Sequence, residues 1–211
     1  MNILLFGATG RVGGFALEYA LAQGHAVTAV VRDPSRLRQS HPQLRIVAGD
    51  IYQPAALLAA LPDPFDAVLS AVGGDVTRPS TVVTDSARFL IGLMQQRGMR
   101  RLLVVSGVAE IPEQTLLGKA GGALMRRSPI RHGVLDHDSA YALIAASGLD
   151  YTLAGCPHIK DGPRTGTYVL HTGPYAGGYQ SISPQDVADF LVSELTAARY
   201  LRQIVGIWSA R

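Results

Sequence analysis

The run Ile3-Leu4-Leu5-Phe6 leads straight into Gly7-Ala8-Thr9-Gly10-Arg11-Val12-Gly13, and this junction constrains the fold more than any other feature. A continuous apolar run has the pattern of a strand buried on both faces, as in a parallel sheet covered by helices. Val12 to Gln23 has a helical pattern, with Gly24 as the stop signal beyond it. Strand, glycine turn and helix make the opening of a βαβ unit in which each glycine has a task. Gly7 permits a tight turn, Gly10 lets backbone approach a pyrophosphate, and Gly13 lets the helix lie close to the strand. The helix N-terminus then offers N–H groups and a positive dipole end to phosphate. The junction predicts a dinucleotide site that uses Gly7, Thr9, Gly10, Arg11, Val12 and Gly13.

The rest of the chain repeats the alternation. Buried strands are expected over 26–31, 44–48, 67–71, 102–105 and 151–154, a short strand over 167–171 and a last one over 204–208. Helices are expected over 34–39, 54–61, 82–97, 135–147 and 183–195. Asp33 is placed to cap the first of these, and Ser183, Pro184 and Asp186 form a capping-box-like start for the last. Residues 109–133 have two prolines, many glycines and no clean period, and read as a loop region with about one helical turn. The fold class implied is α/β: a Rossmann-type, doubly wound, mainly parallel sheet with helices on both faces. A chain of 211 residues suits one such domain, 1–211, with its C-terminal part from about 151 completing the substrate side.

Such sheets bind ligands beyond the C-terminal ends of their strands. The second strand ends at Arg32, where NAD binders usually carry a carboxylate for the ribose hydroxyls. A guanidinium there suits a 2′-phosphate, and Arg36 lies one turn further on, so NADPH is expected over NADH. Asp33 is the neighbouring carboxylate, read as the helix cap rather than a ribose ligand. Asp50 and Ile51 follow the third strand, where an adenine ring would lie, although an ordinary turn capped by Asp50 has the same pattern. Val72, Gly73 and Gly74 end the fourth strand with residues small enough to let backbone approach ribose and pyrophosphate.

The GATGxxG turn, the segment Val31-Arg32-Asp33-Pro34-Ser35-Arg36-Leu37 and the Gly49-Asp50 pair resemble atypical short-chain dehydrogenase/reductases with an NAD(P)H-binding domain. Three later segments narrow the resemblance. These are Ser147-Gly148-Leu149-Asp150-Tyr151, Cys156-Pro157-His158-Ile159 and Thr165-Gly166-Thr167-Tyr168, which look like the biliverdin IXβ reductase/flavin reductase group. The resemblance implies an NADPH-dependent reductase of flavins and linear tetrapyrroles, with flavin bound as a substrate. It places His158 near nicotinamide and substrate, flanked by Pro157 and Ile159. It also places a serine after the fifth strand, which corresponds to Ser106 or, in a shifted alignment, falls on Gly107. The segment that shapes the substrate pocket departs from the biliverdin enzyme.

Well-known members of that superfamily use Tyr-x-x-x-Lys to pass a proton to a carbonyl. No tyrosine here has lysine four residues on. Hydride transfer to a flavin, a quinone or a linear-tetrapyrrole-like acceptor asks less of the protein, chiefly stacking and exclusion of water. His158 and Ser106 are the expected catalytic residues, histidine being the side chain that titrates near neutrality. His137 faces the start of a helix, where Asp136 or Asp138 either orients it for a role in the chemistry or joins it in a cap on a solvated helix face. Cys156 reads as a packed thiol. Arg126, Arg127, Arg131 and His132 form a basic group that either meets an acidic substrate or is plain solvated loop.

Two other classes share these features. A redox sensor like the NmrA regulators binds dinucleotide without turnover. An epimerase or dehydratase needs the missing tyrosine–lysine pair and a larger C-terminal domain.

The net charge of +3, with arginines spread along the chain, fits an anionic small ligand rather than a nucleic-acid surface. With one cysteine there is no internal disulfide, and the histidines have no ligand spacing with carboxylates, so no metal site is expected. The N-terminal apolar run lacks a basic flank and cleavage site, and no segment reaches the ~18 apolar residues of a membrane span. A cytoplasmic monomer or homodimer, with a small-molecule substrate and no nucleic-acid or membrane partner, is the expectation.

Overall fold

The computed structural model describes residues 1–61, 64–107, 111, 115–174 and 180–210. Eight strands form one sheet in the order β3-β2-β1-β4-β5-β6-β8-β7. They are β1 (Asn2–Phe6), β2 (Ala26–Val31), β3 (Leu44–Ala48), β4 (Ala67–Ser70), β5 (Arg101–Gly107), β6 (Asp150–Cys156), β7 (Tyr168–His171) and β8 (Gln203–Ser209). All neighbours run parallel except β7, which pairs antiparallel with β8 at the edge. The helices are α1 (Arg11–Ala22), α2 (Pro54–Ala60), α3 (Val82–Gln96), α4 (Leu116–Met125), α5 (Arg131–Ala146) and α6 (Pro184–Ala197). This is the doubly wound Rossmann-type architecture expected from the alternation. No helix among the described residues is long and apolar enough to cross a membrane.

The strands are apolar on both sides because both sides are covered. Ile3 and Leu5 face a cluster with α1 and α6, while Leu4 and Phe6 face one with α2, α3 and α5. The strand order turns back between β1 and β4, with β2 and β3 added on one side and β4 onwards on the other, so the crevice opens there.

Three expectations need correction. The helix expected over 34–39 is one 3₁₀ turn, Pro34–Arg36, capped as expected by Asp33. The glycine-rich stretch read as loop contains α4, while 109–110 and 112–114 of that stretch lie outside the described residues. Thr115 caps α4 by accepting from the Gly118 N–H at 3.2 Å. Arg126, just past its end, grips Asp138 of α5 with two bonds of 2.8 and 2.9 Å. Third, α5 begins at Arg131, not 135. Its Gly133 lies against Val76, where a Cβ would come within 2.6 Å of the valine side chain. A glycine that looks like a helix breaker is there a contact surface.

The start of α6 is half as expected. Ser183 accepts from the Asp186 N–H at 3.0 Å. The Asp186 carboxylate does not return to Ser183. It is fully buried and holds the N–H groups of Thr165 and Gly166 at 2.8 and 3.0 Å and the Thr165 hydroxyl at 2.9 Å.

Candidate functional site: a two-part cleft across the strand ends

The glycine turn is shaped by contact with the neighbouring strand. Gly7 has φ +82°, and a Cβ there would sit 2.5 Å from the Ala71 carbonyl oxygen. A Cβ on Gly13 would overlap the Gly7 carbonyl. The turn closes through Gly10 N–H to Gly7 O and Gly14 N–H to Gly10 O, both 2.9 Å. Only glycine fits at positions 7 and 13, and no side chain caps the start of α1 beside the crevice.

Two cavities meet at this turn. The first, about 270 Å³, is lined by Gly7, Thr9, Gly10, Val30, Val31, Arg32, Arg36, Asp50, Ile51, Tyr52, Val82 and Ser86, among others. The second, about 640 Å³, is lined by Arg11, Val12, Gly74, Val76, Val105, Ser106, Met125, Ile130, Val134, His137, Cys156, Pro157, His158 and Ile159, among others. Gly10, Ala71, Val72 and Gly73 line both, so the two are one cleft. Every residue expected at the site lines it except Gly13, which is buried under the turn and acts through packing.

At the first cavity, Asp33 is occupied as a cap. Its carboxylate accepts from the Ser35 N–H at 3.0 Å and the Ser35 hydroxyl at 2.7 Å. Those bonds hold it below the usual carboxylate range. It does not line the cavity, whereas Arg32 and Arg36 do. Asp50 accepts from the Tyr52 N–H at 3.0 Å, the turn cap that the sequence left as one alternative, and it also lines the cavity.

At the second cavity, the segment after β6 is pinned by a short bridge. Ile182 N–H donates to His158 O and Lys160 N–H to Ile182 O, both at 3.0 Å. This leaves the His158 side chain exposed at the cavity mouth. Arg11 reaches across from α1 to Asp161 at 3.1 Å, a solvated pair that contributes under about 1 kcal/mol. Ser106 lies buried at the end of β5. Cys156 is a buried thiol donating to Ala154 O at 3.4 Å.

The glycine turn, the crevice at the β1/β4 reversal and the basic end of β2 coincide with the one comparison that decides the family. Residues 7–198 match the model of the NAD(P)H-binding family. The chain belongs to that family.

Individual relatives extend the picture. The uncharacterised protein YwnB of Bacillus subtilis is 33% identical over 53% of this chain, which spans 49% of YwnB. An uncharacterised chloroplastic protein of Arabidopsis thaliana is 27% identical over 98% of this chain and 76% of its own length. Among solved structures, a candidate NADH-flavin reductase of Streptococcus pneumoniae superposes over all of both chains with a TM-score of 0.80 at 23% identity, a likeness of fold.

For an NAD(P)H-binding protein, sequence reasoning missed Tyr52 and Ser86 at the first cavity. The Tyr52 hydroxyl donates to Asp85 at 3.1 Å. Ser86 is buried, and its hydroxyl has no hydrogen-bond partner among the described residues. Neither belongs to a motif. The cluster Asp136-His137-Asp138 is not a cap on a solvated face, for His137 lines the second cavity. Asp136 is buried and caps α3 instead, accepting from the N–H groups of Val83 and Thr84 at 3.0 and 2.9 Å and the Thr84 hydroxyl at 2.6 Å. A carboxylate there satisfies orphan donors and the helix dipole together. The basic group also separates: Arg126 is paired with Asp138, and none of Arg126, Arg127, Arg131 and His132 lines the cleft.

Proposed function

We propose that this protein is an NADPH-dependent oxidoreductase that passes hydride to a flavin, a quinone or a linear-tetrapyrrole-like acceptor. The observation that carries the reading is the continuity of the cleft. Its basic end at Arg32 and Arg36 suits a 2′-phosphate, its middle is backbone and glycine, and its far end is a mainly apolar cavity flanked by His158.

The dinucleotide fits what the residues present. Gly7, packed closely on Ala71, and the N–H groups at the start of α1, which no side chain caps, would hold a pyrophosphate. The cofactor, when bound, supplies the hydride. The chain's own part is to hold the two reactants face to face and to keep water out. Val72, Gly73 and Gly74 shape the middle of the cleft, Pro157 and Ile159 flank the acceptor side, and Ser106 and His158 offer polar atoms beside it. The resemblance to biliverdin IXβ reductase/flavin reductases supports the same acceptor classes. A reducing, cytoplasmic setting suits the buried thiol of Cys156, and a monomer or homodimer suffices for a site built within one chain.

The test is steady-state oxidation of NADPH and, separately, NADH, with FMN, riboflavin, menadione and biliverdin as acceptors. Saturable turnover, faster with NADPH, is the expected result. Tight NADPH binding with no acceptor turned over would instead make the protein a dinucleotide sensor. A His158→Ala variant with full turnover would remove His158 from the chemistry.

A further inference from the structure

His137 lies half-buried on α5, one turn after Gly133. Two contacts fix that helix. Gly133 abuts Val76, and its N–H donates to Val76 O at 3.3 Å. Asp136 is locked onto the N-terminus of α3. Height and rotation of α5 are therefore set, and the residue after Asp136 is directed into the acceptor cavity, whose wall it forms with Gly74, Val76 and His158.

Neither ring nitrogen of His137 hydrogen-bonds another described residue. The charged and titratable groups around it are spoken for or distant in role. Asp136 serves α3, Asp138 is paired with Arg126 from the end of α4, and Arg11 of α1 is paired with Asp161. His158 and Cys156 face the same cavity from the end of β6. Burial holds the His137 imidazole below its ordinary pKa, against the opposing charges of Asp136 and Asp138. It is a neutral ring at neutral pH, with one N–H to give.

We propose that His137 donates this N–H to the acceptor, at the oxygen or ring nitrogen that becomes anionic when hydride arrives. The proposal rests on the reductase reading above. Hydride forms a new bond to a carbon or ring nitrogen of the acceptor, and NADP⁺ is left behind. The π pair displaced from that atom moves through the conjugated system to the heteroatom facing His137. The proton that later neutralises this anion comes from water, because a neutral imidazole that gave up its proton would become imidazolate. His137 thus acts as a fixed electrostatic donor, worth most in a cavity that excludes water. A mainly apolar cavity with a neutral donor held on a fixed helix favours planar acceptors such as a quinone or isoalloxazine ring.

The experiment compares wild type, His137→Phe and His137→Gln with riboflavin and menadione. The Phe variant should lose about 10²-fold in acceptor kcat/KM while its NADPH Kd, read by fluorescence, stays unchanged. The Gln variant, with a neutral amide N–H, should recover most of the loss with an unaltered pH profile. Full activity of the Phe variant would overturn the proposal. So would a Gln variant as slow as Phe, which would mark proton transfer instead. If the Phe variant fails to fold, the Gln variant is joined by ¹⁵N NMR of the wild-type imidazole. Riboflavin with NADP⁺ should shift the His137 ring resonances, and no shift would overturn the proposal. Absence of turnover by wild type with every acceptor would defeat the reductase reading, while the NMR result would still decide whether His137 meets a planar carbonyl compound.

Discussion

The two ends of the cleft are made of different material. Around the glycine turn the working surface is backbone, held by contacts such as Gly7 against Ala71 and Gly13 against Gly7. At the acceptor end the surface is side chains on α4, α5 and the β6 segment, and its geometry depends on links such as Asp136 to α3 and Arg126 to Asp138. A site of backbone tolerates almost no added atom but little depends on distant residues. A site of side chains tolerates exchange at its lining yet moves when a remote support is lost.

The largest effect that would break this contrast is Gly13→Val. The new side chain collides with the Gly7 carbonyl, and the expected cost is about 3 kcal/mol or more of stability, with NADPH binding abolished. A thermal melt and a fluorescence titration suffice. A folded variant with native affinity would show that the turn is not the rigid element described here.

Next in size is Asp136→Ala, which strips three hydrogen bonds from the start of α3. Loss of a buried, charged cap should cost about 2–3 kcal/mol. It should raise KM for the acceptor more than it weakens NADPH, since α5 lines the second cavity while the uncapped end of α3 reaches the first through Val82 and Ser86. Equal damage to both would merge the two regions into one.

Arg32→Ala should weaken NADPH about ten- to a hundredfold, the worth of a charge-assisted pair, and NADH hardly at all. Isothermal titration with both dinucleotides measures this. Equal losses would detach Arg32 from the 2′-phosphate.

The smallest effect is an acid limb in stability. Burial depresses the pKa of His137, and burial followed by the N-terminal charge depresses that of His25. The unfolded chain then binds more protons than the native one as pH falls below about 6.5. Stability should be flat above that value and decline below it, towards the depressed native pKa values. In urea melts from pH 7 to 5, His137→Gln should flatten the decline. An unchanged slope would place the acid sensitivity elsewhere.

What could be read from sequence follows the same division. The turn Gly7–Gly13, the cap at Asp33 and the basic residue Arg32 act within a few residues of one another, so their pattern carries their role. The strands were legible because burial on both faces leaves continuous apolar runs such as Ile3–Phe6. The helix α4 was not, since Gly118, Gly121 and Gly122 erase its periodicity and its support from Arg126 and Asp138 comes from outside it. Asp136 belongs in sequence to α5 and in energy to α3. No local signal distinguishes those possibilities, and the same is true of Tyr52 and Ser86, which reach the cleft only through the fold.

The closed hydrogen bonds of the Gly7–Gly14 turn carry a thermodynamic consequence. The conformational entropy of ordering that loop is lost once, during folding, and not again at each association. Docking of a dinucleotide should therefore show the modest heat-capacity change of surface burial, without the larger one that accompanies coupled folding. The van 't Hoff plot of its affinity should accordingly run close to a straight line.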